Sequence, residues 1–237
     1  MPMSLVIFDL DAALAHVSCD TLWSRFLRAR KAIDDARLER CDWVARQYAS
    51  GTVVPEDYAL AQAALLAGRH LDELAALAAA FTDEMLLPRV VPQVGALLRQ
   101  HRAEGQTLLL TSVSCEVLLG PIAQALGADA VLGTELVCFA GRCTGVLHGH
   151  PNMRSGKLER VRRWLQGRQQ GEATLRRATF YSDSINDLAL LSAVGRPVVV
   201  DPDPRLAATA IRKGWKLMQL EPQPARPRSR PLNPVAA

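Results

Sequence analysis

An α/β fold, with a Rossmann-like parallel sheet flanked by helices and an all-helical cap inserted after its first strand, is what three features of this sequence predict. The chain opens on the continuous apolar run Leu5-Val6-Ile7-Phe8, with β-branched members, as a strand buried on both faces would. From Pro88 onward, strand-like and helix-like stretches alternate, the pattern of a parallel sheet. Between the two lies a long stretch with helical spacing and no convincing strand. The length of 237 residues suits one core with a sizeable insertion, at about 150 residues per domain. A hydrophobic fraction of 49% and a charged fraction of 22% are ordinary for a globular protein, which excludes wholesale disorder and fibrous repeats.

Taken in order, the elements divide the chain into a core (1–15 and 86–220), a cap (16–85) and a tail (221–237). In the cap, Leu22, Phe26 and Leu27, then Trp43, Val44 and Tyr48, then Leu71, Leu74 and Leu77 recur at helical spacing, and Pro55 is placed to start a helix. The core resumes with a helix over Gln93 to His101, a strand over Thr107 to Thr111, a helix over Ser114 to Leu126 and a short strand over Ala130 to Leu132. Residues 135–148 break this alternation with a β-hairpin about Ala140-Gly141-Arg142. A charged helix follows over Ser155 to Gln166. Then come a strand (Ala178 to Ser182), a helix (Ile185 to Ala193), a strand (Pro197 to Val200), a helix (Pro204 to Lys213) and a last strand near Trp215 to Met218. The final 17 residues, with five Pro and three Arg, read as a disordered end.

Composition also narrows the function. No apolar run approaches the roughly 18 residues of a membrane span, and Asp9 and Asp11 interrupt the N-terminal apolar run in a way foreign to secretory signals. The net charge of +4, partly in the tail, and aromatics at only 5% argue against a nucleic-acid face. Five scattered cysteines, at 19, 41, 115, 138 and 143, suggest reduced thiols in a cytoplasm rather than a disulfide framework. Cys138 and Cys143 make at most half a zinc site, and small buried hydrophobes is the preferred reading of the set.

Ligands collect at the carboxyl ends of parallel strands, so the polar residues that end each apolar run carry the chemistry. Asp9 and Asp11 end the first strand, and an i, i+2 spacing in extended chain puts both carboxylates on one side. Two acids there need a cation or a shared proton, or else they cap a turn. Thr111 and Ser112 end the second; a hydroxyl followed by free N–H groups suits a phosphate oxygen, and plain N-capping is the competing role. Lys157 stands at the front of a helix in a chain with 24 Arg and four Lys. An ammonium is the wrong sign for a helix N-terminus, which hints at an anion nearby, although a solvated surface lysine serves equally. Asp183 and Asp187, one helical turn apart, end a further strand. A capping box of Ser184 with Asp187 explains the second of these acids and not the first.

Together, Phe8-Asp9-Leu10-Asp11, Thr111, Gly156-Lys157 and Ser182-Asp183-Ser184-Ile185-Asn186-Asp187-Leu188 resemble, in order, the four motifs of the haloacid dehalogenase superfamily. The helical insert is similar to the cap of its phosphoserine-phosphatase-like branch, subfamily IB, and the resemblance extends to about residue 218. It implies a magnesium-dependent phosphatase that hydrolyses a small phosphorylated metabolite through an aspartyl-phosphate. By the same resemblance Asp9 is the nucleophile and Asp11 the general acid and base. Thr111, Ser112 and Lys157 grip the phosphoryl oxygens, and Asn186 positions Lys157 or a metal-bound water. Magnesium takes Asp9, the carbonyl of Asp11 and Asp183, with Asp187 holding its waters. The sequence departs from the pattern at Ala13, where the family usually has Thr, and at Ser18, where phosphoserine phosphatases carry an acid that reads the substrate amino group. A degenerate phosphate-binding protein or scaffold, motivated by Ala13 and the tail, and a phosphotransferase sharing every site residue are the rival readings. His16, Asp20, Trp23 and Arg25 are the candidates for contacting substrate at the cap entrance.

Overall fold

The computed structural model describes residues 3–14, 17–50 and 52–220. Strands β1 (Leu5–Asp9), β2 (Thr107–Cys115) and β3 (Ala130–Thr134) precede a hairpin of β4 (Leu136–Phe139) and β5 (Arg142–Leu147). Strands β6 (Thr179–Ser182), β7 (Arg196–Val200) and β8 (Lys216–Met218) follow it. Six of the eight form one parallel sheet in the order β3-β2-β1-β6-β7-β8. The side on which the next strand is laid changes at β1, and the crevice for a ligand opens at the carboxyl end of such a switch.

Every residue of β1 is buried. Side chains alternate across a strand. Val6 and Phe8 therefore join the core on one face with Leu108 and Leu110, while Leu5 and Ile7 join the other with Leu109, Val161 and Leu190. An uninterrupted apolar run is what a strand with two covered faces requires.

Between β1 and helix α5 lie four helices: α1 (Cys19–Ala29), α2 (Asp35–Ser50), α3 (Pro55–Ala63) and α4 (Leu71–Phe81), with α5 over Pro92–Ala103. Ser18 caps α1 by accepting from the Thr21 N–H, and Pro55 occupies the first turn of α3, where its missing N–H costs nothing. Trp23, Phe26 and Phe81 pack together, with the Trp23 and Phe81 rings edge to face at 5.2 Å.

Further on, α6 (Leu119–Leu126) ends on Gly127 in the left-handed region, and α7 (Ser155–Gln166), the short α8 (Glu172–Leu175), α9 (Leu188–Ala193) and α10 (Pro204–Lys213) complete the layers. The second strand is longer than its expected end at Thr111, and the helix expected from Ser114 begins only after a 3-10 turn over Glu116–Leu118. Polar contacts hold the intervening residues out of a helix. Thr134 Oγ1 donates to the Val113 carbonyl at 2.6 Å, and Ser112 Oγ accepts from the Ser114 N–H at 3.1 Å. The β2–β3 register shifts between Thr111 and Cys115 as a result. The helix expected over Ile185 to Ala193 likewise starts as a 3-10 turn over Ile185–Asp187.

The hairpin turns on Ala140 and Gly141, both at positive φ, as a two-residue turn demands. It attaches to the inserted helices rather than to the sheet: Cys143 exchanges backbone bonds with Gly68 and Arg69, and the Leu71 N–H donates to Gly141. The cysteines are unpaired, and four of them are buried as small hydrophobes; Cys138 departs from that expectation and is exposed. Among the described residues no helix is long and apolar enough to cross a membrane. His16 and the tail from residue 221 lie outside the described residues.

Gly145 joins the hairpin to α3 at φ +76°, where an added Cβ would meet the Ala67 Cβ at 2.8 Å. Gly145→Ala is expected to cost about 1–3 kcal/mol through the combined strain and crowding. Thermal unfolding of the two proteins side by side checks this, and an unchanged midpoint would mean that the hairpin is not packed as described.

Candidate active site

The site begins where β1 stops. Asp9 pairs in register with Thr111, and the Leu10 N–H donates to the Thr111 carbonyl at 2.9 Å, so the first two motifs are locked side by side. Leu10 then turns into the right-handed helical region and a 3-10 turn runs over Asp11–Ala13. Asp11 therefore does not continue the extended strand as its spacing predicts. The turn is closed by Ala13 N–H to Leu10 O and Leu14 N–H to Asp11 O, both 3.0 Å, and Ala13 is packed in the core. A hydroxyl at position 13 is not needed to close it.

Lys157 is the centre of the charge arrangement. Its side chain is 2% exposed, and Nζ lies 2.7 Å from both Asp9 Oδ1 and Asp187 Oδ1. Burial alone would pull the ammonium down, but Asp187 and Asp9 outweigh it and hold its pKa well above the ordinary lysine range. The solvated surface lysine is thus excluded. Asp187 Oδ2 accepts from Ser182 Oγ at 2.7 Å, so both of its oxygens are engaged. The capping box with Ser184 does not form: Ser184 Oγ accepts from the Asn186 N–H instead.

Gly156 lets α7 reach this position. A Cβ there would lie 2.2 Å from the Pro151 carbonyl oxygen, so only glycine allows the helix start to press on the preceding segment. That segment carries Asn152, a fully buried residue that sequence reasoning passed over. Its Nδ2 reaches Thr111 Oγ1 at 2.9 Å, the Ser112 carbonyl at 2.7 Å and the Leu132 carbonyl at 3.0 Å. As Thr111 accepts from Asn152, its own hydroxyl proton remains to donate to an anion. The only signal in the sequence is an amide four residues before Gly156, which is no signal without the fold.

The acids differ in their surroundings. Burial, opposed by Lys157 and reinforced by Asp187, moves Asp9 up to about 6. Burial and then the charge of Asp9 push Asp11 well above the carboxylate range, although the Cys19 N–H donates to its Oδ1 at 2.8 Å. Asp183 is raised to about 7 by burial, Asp9 and Asp187. Its Oδ1 is buried without a hydrogen-bond partner, a condition that a hard cation relieves. Among the described residues no three or more His, Cys, Asp or Glu side chains form a metal cluster. Two carboxylates and a main-chain carbonyl nevertheless suit magnesium, which completes its shell with water and phosphate.

Asn186, expected beside Lys157, is bonded elsewhere: Arg154 Nε donates to its Oδ1 at 3.3 Å, and its Nδ2 reaches Ser184 Oγ at 3.4 Å. Arg154 also donates to the Val53 carbonyl at 3.1 Å, from a backbone held at φ +54°. From α2, the Tyr48 hydroxyl lies 3.4 Å from Ser184 Oγ. Neither Arg154 nor Tyr48 had been singled out for the site. Ser18 is used as a helix cap. Of the candidates for contacting substrate, Trp23 is buried among aromatic rings, Arg25 is exposed, and Asp20 is buried.

Comparison with known proteins agrees with this geometry. The family model for haloacid dehalogenase-like hydrolases matches residues 6–192. A histidinol-phosphatase of Neisseria meningitidis is 32% identical over 220 residues, covering 92% of this chain and 99% of that protein. A phosphoserine phosphatase of Mycobacterium tuberculosis is 34% identical over 154 residues, 65% of this chain and 49% of that one. Among solved structures, a protein of unknown function from Bordetella pertussis superposes with a TM-score of 0.83 at 34% identity, over 92% of this chain and 99% of that one. A phospho-aspartyl intermediate analogue of phosphoserine phosphatase shares the fold, with a TM-score of 0.65 at 14% identity over 94% and 95% of the two chains. With four motifs converging at the carboxyl end of a parallel sheet and a family match over most of its length, this chain belongs to the haloacid dehalogenase-like hydrolases.

Proposed function

We propose that the protein is a magnesium-dependent phosphatase that hydrolyses a small phosphomonoester through an aspartyl-phosphate on Asp9. The observation that carries this reading is the buried bridge from Lys157 to Asp9 and Asp187 at the end of β1, with Asp11, pushed well above the carboxylate range by burial and the charge of Asp9, in the turn that follows. Relatives named histidinol-phosphatase and phosphoserine phosphatase support a small phosphorylated metabolite as the substrate class.

In the first step an Asp9 carboxylate oxygen attacks phosphorus while the bond to the alcohol oxygen breaks. Asp11, protonated because burial and Asp9 disfavour its charge, gives its proton to the leaving oxygen. In the second step the Asp11 carboxylate takes a proton from water, whose oxygen attacks phosphorus. The bond to Asp9 breaks, phosphate leaves and Asp11 is an acid again. Lys157, the Thr111 hydroxyl and Ser112 hold the phosphoryl oxygens, and Asn152 keeps Thr111 aimed. Asp9, the carbonyl of Asp11 and Asp183 would hold magnesium, with Asp187 and Asn186 behind them. When bound, the ion offsets the negative charge of the phosphoryl group and of the clustered acids.

Three outcomes test the reading. Release of inorganic phosphate from p-nitrophenyl phosphate requires added magnesium and stops on chelation; undiminished turnover in excess EDTA would overturn the metal assignment. Asp9→Asn lowers kcat by at least about a thousandfold and abolishes labelling of the protein by a radioactive phosphomonoester. Retention of label would move the nucleophile elsewhere. Asp11→Asn slows an alkyl phosphate by about 100- to 10,000-fold but p-nitrophenyl phosphate much less, as the better leaving group needs less protonation. Equal losses on the two esters would leave Asp11 a structural residue.

A further inference from the structure

The hairpin carries two thiols for which the reaction above has no use. Cys138 on β4 and Cys143 on β5 stand directly opposite each other in the antiparallel register. The Cys143 N–H donates to the Arg69 carbonyl at 3.0 Å, and its carbonyl accepts from the Gly68 N–H at 2.8 Å, so both backbone groups point away from β4. Cys138 and Cys143 are therefore a non-hydrogen-bonded pair, the kind that brings Cα atoms to about 4.5 Å and side chains closest together across a ladder. Disulfides span about 4.4–6.8 Å between Cα atoms, so this pair can be bridged within the existing strands.

Their surroundings give the two thiols different parts. Cys138 is exposed, and its thiol donates to the Leu136 carbonyl of its own strand at 3.8 Å. Cys143 is fully buried. Burial raises its thiol, the Gly145 N–H draws it down in part, and the Cys138 thiol, close enough to interact with it, raises it again. A reagent in solvent therefore meets Cys138 first, and Cys143 is reached through the sulfur opposite it. Cys19, Cys41 and Cys115 are buried as well. Of these, Cys115 feels the charge of Cys143, but its register partner across the sheet is Thr134 and not a cysteine.

We propose that Cys138 and Cys143 are a reversible redox site, closed to a cross-strand disulfide by a peroxide and reopened by a thiol reductant. The Cys138 sulfur attacks one oxygen of hydrogen peroxide, the O–O bond breaks, and a sulfenic acid forms while the other oxygen leaves as water with the thiol proton. The Cys143 sulfur then attacks the Cys138 sulfur, and the hydroxyl departs with the Cys143 proton as a second water. Two thiols are thus oxidised to one S–S bond, and one peroxide is reduced to two waters. The bond closes a loop of only a few residues and keeps one sulfur exposed, and such disulfides stabilise little and are reduced readily. It forms on the element that holds the inserted helices, since Gly68, Arg69 and Leu71 all bond to this hairpin. The assignment goes beyond the phosphatase reading and does not depend on it.

The test treats the native full chain with hydrogen peroxide at a concentration that fully oxidises free cysteine, alkylates the remaining thiols after denaturation, and maps the products by mass spectrometry. Trypsin and a glutamyl endopeptidase cut after Arg142 and Glu135, which parts Cys143, Cys138 and Cys115. Wild type is expected to lose two of its five thiols and to yield the fragment 136–142 joined to the one that begins at Cys143. Dithiothreitol restores all five. Cys138→Ser loses none under the same treatment, whereas Cys143→Ser stops at a Cys138 sulfenic acid that dimedone traps. Retention of all five thiols in wild type, or thiol loss that persists in Cys138→Ser, overturns the proposal. So does a bond from Cys115 to Cys143, a bond between Cys138 of two copies, or Cys138 oxidised to a sulfinic acid with Cys143 still free.

Discussion

One buried ammonium organises the catalytic end of the molecule. Lys157 draws together the end of β1, the start of α7 and the turn after β6, because Asp9 and Asp187 come from the first and the last of these. Removing Lys157 leaves two carboxylates uncompensated in the interior, and breaking a buried pair in this way typically costs about 3–5 kcal/mol. The surrounding structure follows from this demand. Gly156 allows the close approach of α7, Ser182 occupies the second oxygen of Asp187, and Asn152 ties the Pro151 segment to β2 and β3.

The same crowding separates the roles of the acids. Lys157 stands against Asp9 and restrains its rise to about 6, whereas Asp11, buried and with the negative charge of Asp9 for a neighbour, is pushed well above its ordinary value. The proposed division between an attacking carboxylate and a proton-holding acid thus needs no difference in residue type. There is a cost in stability. Asp9 and Asp183 both lie above the unfolded value of 3.8. The bare chain is therefore favoured by these groups at acid pH, and loses that support as pH rises through about 6 and 7. A bound cation reverses this by stabilising the charged forms.

Strand ends were the most legible part of the site, since a continuous apolar run that stops at a carboxylate or hydroxyl marks both the strand and its carboxyl end. Asp9, Thr111 and Asp183 were found in that way, and Lys157 by its rarity among 24 arginines. What escaped depends on contacts distant in sequence. Asn152 acts on Thr111 from 41 residues away, and nothing local distinguishes it from a turn asparagine. The end of β2 was misplaced because Thr134 and Asn152, both on later segments, hold residues 112–113 extended against their local tendency to cap a helix. The hairpin was recognised from its turn, but its attachment to Gly68 and Arg69 is tertiary and had no local signature.

The insert is joined to the chemistry as well as to the core. The first N–H of α1 donates to Asp11 Oδ1, the Val53 carbonyl accepts from Arg154, and Tyr48 reaches Ser184. Each contact crosses from the inserted helices to one of the motif segments or to the loop before Lys157. The Asp11 contact has the most direct consequence. With Oδ1 committed to a backbone donor, the carboxyl proton is directed to Oδ2, so the orientation of the acid depends on where α1 begins. Ser18 sets that beginning by capping the helix, and Asp20 lies one residue beyond the donor. A single helix start therefore both orients the Asp11 carboxyl and carries the buried Asp20 carboxylate.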